Sequence, residues 1–78
     1  MNCQFCASSR SLYISGKTSD LCWAEYGGKE GDGYVPNLAP ISDGSGDYIG
    51  FRLCMDCGTV QGNFPIADRE IYKALRDM

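Results

Sequence analysis

Alternation of apolar and polar side chains predicts short strands at three places in this chain. Residues 48–53 (YIGFRL) alternate most regularly and lead directly into a cysteine. Residues 21–26 (LCWAEY) are rich in strand-forming side chains, and residues 12–14 form a shorter run that breaks at residues 15–16. The glycines at 27–28 favour a tight turn after the second of these strands. The pattern therefore predicts an antiparallel, hairpin-rich sheet.

The end of the chain changes from strand to helix spacing. Four apolar side chains recur at helical intervals: Ile71, Ala74, Leu75 and Met78. We therefore predict a helix over residues 66–78 that packs Ile71 and Leu75 against the sheet. That sheet is expected to carry Trp23 and Phe51 in a small α+β fold.

Residues 27–47 are expected to be mostly turn and loop. They hold six of the ten glycines and two of the three prolines, and Asp32-Gly33 is typical of a turn. The stretch after the last cysteine, residues 59–64, is predicted to return as a strand. We expect a single domain over residues 1–78, with a ribbon and inserted loop in 1–65 followed by the helix.

The five cysteines suggest how this chain is stabilised, because the core of a 78-residue domain is usually too small to hold the fold without a metal, disulfides or a partner. Two C-x-x-C pairs, Cys3/Cys6 and Cys54/Cys57, offer four sulfur ligands at the spacing of a tetrahedral metal site. The 47 residues between the pairs exceed the usual ribbon gap of roughly 15–20, but loop closure costs grow slowly with length. Zinc is the expected ion, and iron in a similar four-thiolate site stays open.

A complete four-thiolate shell predicts a structural metal rather than a catalytic one. Such a shell leaves no position for water or substrate, and the chain contains no histidine to act as a general base. Asp32 and Asp47 could form a carboxylate pair for acid–base chemistry, but nothing in their spacing brings them together. We therefore expect a non-enzymatic protein.

The alternatives to a metal site fit the cysteines less well. Neither pair lies in the strand–helix setting of a redox C-x-x-C motif. Secreted disulfides are disfavoured by the odd number of cysteines and by an N-terminus that does not read as a signal peptide. We expect a cytoplasmic protein without a membrane span. Cys22 is left with two interpretations: a small buried residue beside Trp23, or a reactive thiol that could replace Cys3 as a ligand.

The charge balance disfavours nucleic acid as the principal partner. Seven basic residues face ten acidic ones, and residues 20–47 hold six acids against Lys29 alone. The residues 16–20 (GKTSD) lack the preceding glycine of a phosphate-binding loop, because Ser11 occupies that position. Nucleic-acid binding nevertheless stays the alternative function, with three cationic side chains as the candidate phosphate contacts: Arg10, Lys17 and Arg52.

Residues 28–37 (GKEGDGYVPN) have two interpretations. The first is a turn whose tyrosine and valine pack back on the domain. The second is a recognition loop for a protein partner, with Tyr34 and Tyr48 as exposed aromatic anchors beside Asp32. The second interpretation predicts an adaptor or regulatory module.

The order of the motifs resembles that of zinc-ribbon proteins. The arrangement of C-x-x-C near the start, GKTSDLC, DGYVP, GDY and CMDCGTVQGNFP also resembles a group of small uncharacterised bacterial and phage proteins with similar motifs in the same order. The resemblance covers about residues 1–65. It implies the zinc-ribbon fold and the zinc site, suggests a role between phage and host, and implies no established activity.

Overall fold

The computed structural model describes residues 2–78 as two antiparallel sheets followed by a C-terminal helix. The elements are β1 (Ser11–Lys17), β2 (Cys22–Tyr26), β3 (Lys29–Gly33), β4 (Tyr48–Cys54), β5 (Val60–Gln61) and α1 (Asp68–Arg76). A 3-10 turn, Ser19–Leu21, links β1 to β2. The α+β class and the antiparallel pairing are confirmed.

The first sheet places both cysteine pairs at the same end. Its order is β1-β4-β5, and both pairings are antiparallel. Ser11 pairs with Cys54 at the start of β1, so the chain that precedes β1 lies beside the end of β4. Because β4 and β5 form a hairpin, Cys54 and Cys57 lie at the tip of that hairpin, as the sequence predicts. We call β1, β4 and β5 the ribbon sheet.

The second sheet is a hairpin of β2 and β3, joined by Gly27 and Gly28. Both glycines have positive φ (57° and 81°), which suits a two-residue hairpin turn. The predicted turn at residues 32–33 is wrong, because β3 continues through Gly33. The break predicted at residues 15–16 is also wrong, since pairing with β4 continues as far as Lys17.

Helix α1 packs on the β2–β3 hairpin rather than on the ribbon sheet. Ala74 and Leu75 are its buried side chains, and Gly31 of β3 is buried beneath them. The Tyr26 hydroxyl donates to Asp68 Oδ1 at 2.6 Å, which ties the hairpin to the first turn of the helix. The helix is shorter than the predicted 66–78, and β5 is only two residues long.

Trp23 and Phe51 do not share one sheet, and this part of the expectation is wrong. Phe51 is a central residue of β4, whereas Trp23 belongs to β2 and is 59% exposed. The hairpin face that packs against the helix is the one with Gly31. Trp23 pairs with Asp32, which is the neighbour of Gly31 in β3. Because neighbouring residues of a strand face opposite sides, Trp23 and Asp32 lie on the face away from the helix.

The apolar core is small for the length of the chain. The radius of gyration is 13.2 Å, against about 11.5 Å for a compact domain of this size. Within residues 2–78, five hydrophobic side chains are buried: Cys3, Val35, Cys54, Ala74 and Leu75. Two of the five belong to the cysteine pairs, so the cysteine cluster forms a large part of the interior. No helix within residues 2–78 has the length and apolarity needed to cross a membrane.

Candidate metal centre

The first cysteine pair lies in a tight turn directly before β1. Residues 4–6 form the turn, and the Ala7 N–H donates to the Cys3 carbonyl at 3.0 Å. The Cys3 N–H donates in turn to the Ser8 carbonyl at 2.7 Å. Ala7 has φ of 62°, in the left-handed region that a residue with a Cβ rarely adopts. These bonds fold the chain back so that Cys3 and Cys6 point to the same side.

The second pair repeats this pattern with the same spacings. The Gly58 N–H donates to the Cys54 carbonyl at 3.0 Å, and the Cys54 N–H donates to the Thr59 carbonyl at 3.0 Å. Gly58 has φ of 76° and occupies the position that corresponds to Ala7. The two C-x-x-C turns are therefore equivalent knuckles, one before β1 and one at the β4–β5 tip.

The equivalence of Ala7 and Gly58 gives a pair of opposed substitutions. A left-handed residue with a Cβ costs roughly 1–2 kcal/mol, and a Cβ at Gly58 would meet no atom within 4 Å, so backbone strain is the main effect. We expect Ala7→Gly to raise the free energy of unfolding by up to about 1 kcal/mol and Gly58→Ala to lower it by about 1–2 kcal/mol. Urea denaturation of the metal-loaded variants measures both. Changes of the same sign would contradict the assignment of equivalent knuckles.

The four sulfur atoms lie at the corners of a site that matches one metal ion. Cys3 Sγ is 3.6 Å from Cys57 Sγ, and Cys6 Sγ is 3.6 Å from Cys54 Sγ. All four Sγ atoms lie within 4.8 Å of one another. A tetrahedral ion with metal–sulfur bonds of about 2.3 Å requires sulfur–sulfur distances of about 3.8 Å. No disulfide joins these cysteines, and the distances between their sulfur atoms suit an ion.

Backbone amides favour the thiolate form of the first cysteine in each knuckle. The N–H groups of Cys6 and Phe5 donate to Cys3 Sγ at 3.4 and 3.3 Å. The Cys6 N–H is the largest cause that lowers the pKa of Cys3, which reaches about 6 despite partial desolvation. In the second knuckle the Cys57 N–H likewise lowers the pKa of Cys54. Backbone hydrogen bonds therefore favour the anionic, metal-binding form of both Cys3 and Cys54.

The pKa of Cys6 is raised because the sulfur atoms are partly desolvated and lie close together. The Ser8 N–H lowers the pKa of Cys6, but desolvation and the neighbouring sulfurs outweigh it and raise this pKa to about 12. The thiolate form of Cys6 is therefore disfavoured when only other sulfurs surround it. A divalent cation at the centre would reverse this balance, because metal binding releases the remaining thiol protons.

Gln61 supports the centre from β5, a role that no pattern in the sequence predicts. Its buried side chain donates from Nε2 to the Thr59 carbonyl at 2.8 Å and to Cys3 Sγ at 3.5 Å. Its Oε1 accepts from the Gln4 N–H at 2.8 Å, while Gln4 Oε1 accepts from the Gly62 N–H at 2.9 Å. These reciprocal amide bonds join the first knuckle to β5. They orient ligands in the way that outer-shell partners do at metal sites.

A polar cluster joins the two knuckles at the surface. Asp56, inside the second C-x-x-C, accepts from the Ser8 hydroxyl and from Arg10 Nη1, the latter at 3.0 Å. The Arg10–Asp56 ion pair is largely exposed, so its contribution to stability is at most about 1 kcal/mol. Its main effect is to fix the chain that leaves the first knuckle against the second knuckle.

The remaining candidate residues lie away from the sulfurs. Cys22 is half-buried on β2 and outside the four-cysteine cluster. Asp32 is exposed on the outer face of β3. Tyr34 and Tyr48 are 51% and 41% exposed, and the segments that carry them are joined by the Val35 N–H, which donates to the Gly46 carbonyl at 2.9 Å. These aromatic and acidic residues therefore form no part of the cysteine site.

The fold and the site define a small α+β protein with a zinc-ribbon-like cluster of four cysteines. Comparison with protein-family models, with curated proteins and with solved structures finds no match to this chain. Its function must therefore be argued from its own residues.

Proposed function

We propose that the four cysteines bind one zinc ion and that this ion has a structural role. The sulfur–sulfur distances of 3.6 Å carry this assignment, since they suit a closed tetrahedral shell. Cys3, Cys6, Cys54 and Cys57 would all be ligands, which leaves no coordination position for a substrate. Such a centre supports a non-enzymatic protein in the reducing cytoplasm, where thiols stay available to a metal.

We further propose that the chain is an adaptor or regulatory module that binds a protein partner. The observation that carries this proposal is the amount of large apolar surface left exposed. In the part of the chain that the structure describes, eleven such side chains are exposed: Phe5, Leu12, Tyr13, Ile14, Leu21, Trp23, Tyr26, Tyr34, Tyr48, Met55 and Phe64. Exposed aromatic residues are enriched at protein interfaces, where they act as anchors. A role in phage–host interaction rests on the motif resemblance alone.

Site-directed photo-crosslinking tests the proposed anchors Tyr34 and Tyr48. A photoreactive side chain at the exposed position 45, between the two tyrosines in the chain, is expected to give one dominant crosslinked protein in the native host, and adding Tyr34→Ala with Tyr48→Ala should remove its capture. Phe5→Ala is the matched control, because Phe5 is exposed but lies in the first knuckle turn. Equal capture by the double variant and the parent would contradict this interface.

Nucleic-acid binding, the alternative function, has weaker support. Of its three candidate contacts, Arg10 is paired with Asp56, and Arg52 donates to Ser11 Oγ and lies 5.4 Å from the Tyr13 ring centroid. Only Lys17 is exposed and makes no ion pair within residues 2–78. Retention on immobilised DNA that falls steeply with salt would favour this alternative over a protein partner.

A further inference from the structure

The outer face of the β2–β3 hairpin combines an exposed tryptophan with three carboxylates. Trp23 pairs with Asp32, and Glu25 pairs with Glu30. All four side chains lie on the face opposite Gly31, which is buried against helix α1. We call Trp23, Glu25, Glu30 and Asp32 the tryptophan face.

The charges on this face are arranged unfavourably for the isolated protein. The two-residue turn makes Tyr26 and Lys29 the hydrogen-bonded pair that closes the hairpin, so Glu25 and Glu30 form the next, non-hydrogen-bonded pair. Side chains approach most closely in such pairs, and like charges directly opposite each other are destabilising. Within residues 2–78, none of these carboxylates forms a salt bridge, because Arg10–Asp56 is the only ion pair there.

We propose that the tryptophan face binds an extended cationic segment of a partner protein. A lysine or arginine of that segment would lie over the exposed Trp23 ring, and a second one would lie between Glu25 and Glu30. This proposal deepens the protein-partner function and rests on it. Cation–π contact and charge complementarity would then act on one surface, with the aromatic ring as the anchor.

Charge complementarity also selects this occupant over the other candidates. A second copy of the chain would bring the same three carboxylates and a formal charge of −3 to the contact, so the two faces would repel each other. Nucleic-acid phosphates and anionic lipid headgroups would be repelled for the same reason. A basic peptide alone matches both the ring and the carboxylates.

The chain contains one tryptophan, so its fluorescence reports directly on this face. The probe is a capped peptide of about ten residues in which arginine and threonine alternate, titrated into the zinc-loaded protein at low salt. We expect saturable change in Trp23 fluorescence that weakens with added salt, and no change with a glutamate–threonine peptide of equal length. The absence of any saturable change with the arginine peptide would overturn the proposal.

Two double variants separate site binding from general attraction to an acidic protein. Glu25→Gln with Glu30→Gln should weaken binding by about tenfold, whereas Glu70→Gln with Asp77→Asn should change it by less than about twofold. The second variant removes the same charge from the region of helix α1, behind the hairpin. Equal weakening by both variants would overturn the proposal.

Glu30→Lys distinguishes a direct loss of binding from a loss caused by unfolding. This substitution replaces the like-charge pair with an opposite-charge pair, so it should abolish peptide binding without lowering the melting temperature. In the crosslinking assay, partner capture that needs Tyr34 and Tyr48 but survives Glu25→Gln with Glu30→Gln would leave the proposed function standing and overturn this inference. Peptide binding at Trp23 without any captured partner would count against the proposed function alone.

Discussion

Removing the metal from the purified protein at neutral pH is expected to unfold it. The protein as isolated should contain about one zinc ion per chain, bound by the four cysteines. A strong chelator should abolish its circular dichroism signal and its cooperative melting transition, and added Zn²⁺ should restore both. Elemental analysis, with circular dichroism before and after chelation, measures this.

The reason for so large an effect is the small interior. Structural zinc sites contribute roughly 10–16 kcal/mol of apparent binding free energy, which matches or exceeds the roughly 5–15 kcal/mol stability of a typical domain. Here Cys3 and Cys54 are themselves among the five hydrophobic side chains buried within residues 2–78, and Cys54 is only 1% exposed. Without an ion, the centre would hold four crowded sulfurs where the ribbon sheet meets the first knuckle.

Substitution of single cysteines gives the same test without a chelator. Cys54→Ser is expected to abolish zinc binding and cooperative folding, because serine is a poor zinc ligand at a position that the fold buries. Cys22→Ser is the matched control, since Cys22 lies outside the cluster. It should keep one zinc per chain and a similar melting temperature. A folded, metal-free parent protein, or zinc loss in Cys22→Ser alone, would contradict the assignment.

Strand β4, the β2–β3 turn and the cysteine pairs were predictable because their signals are local. The alternation in YIGFRL places β4, and the two glycines after Tyr26 place the hairpin turn. The spacing of the two C-x-x-C pairs directly predicts four sulfur ligands for one metal ion. The pairing of β4 with β1, which brings Cys54 beside the chain that follows Cys6, was not predicted.

Strand β3 and the exposure of Trp23 were not predictable from local pattern. The β3 sequence KEGDG consists of residues that are depleted in strands, and it pairs because the turn sets the register and the helix covers Gly31. Hydrophobicity alone assigns Trp23 to the interior. Tertiary packing decides otherwise, because helix α1 approaches the glycine face of the hairpin and leaves the other face to solvent.

The hydrogen bonds that Gln61 makes to the cysteine site could not be predicted from the sequence, for a different reason. Gln61 is a polar residue in a two-residue strand, and its partners Gln4 and Cys3 are more than 50 positions away in the chain. Only the assembled ribbon sheet brings their amides and sulfur together. The knuckle equivalence of Ala7 and Gly58 is similarly a matter of backbone conformation, which an alanine does not signal.

Gly31→Ala is expected to lower the stability of the protein strongly, although the residue lies outside the cysteine cluster. A Cβ at Gly31 would lie 2.7 Å from the Leu75 carbonyl oxygen and 3.2 Å from Leu75 Cα, and it would also overlap the Met78 side chain. The Leu75 atoms belong to the backbone of helix α1, so the helix must move away from the hairpin. Overpacking of this kind costs about 1–3 kcal/mol, which corresponds to a fall in melting temperature of roughly 5–20 °C for a chain this short.

Gly16→Ala separates this steric effect from the general effect of replacing a strand glycine. A Cβ at Gly16 of β1 would meet no atom within 4 Å, and alanine loses less conformational entropy than glycine when the chain folds. The melting temperature of Gly16→Ala should therefore stay equal to that of the parent or rise slightly. Both variants should bind zinc normally, because Gly31 lies in the hairpin and Gly16 lies at the end of β1 away from Cys54. Equal melting temperatures for Gly31→Ala and Gly16→Ala would show that helix α1 does not rest on β3, and the assignment of the outer face to Trp23 would fail with it.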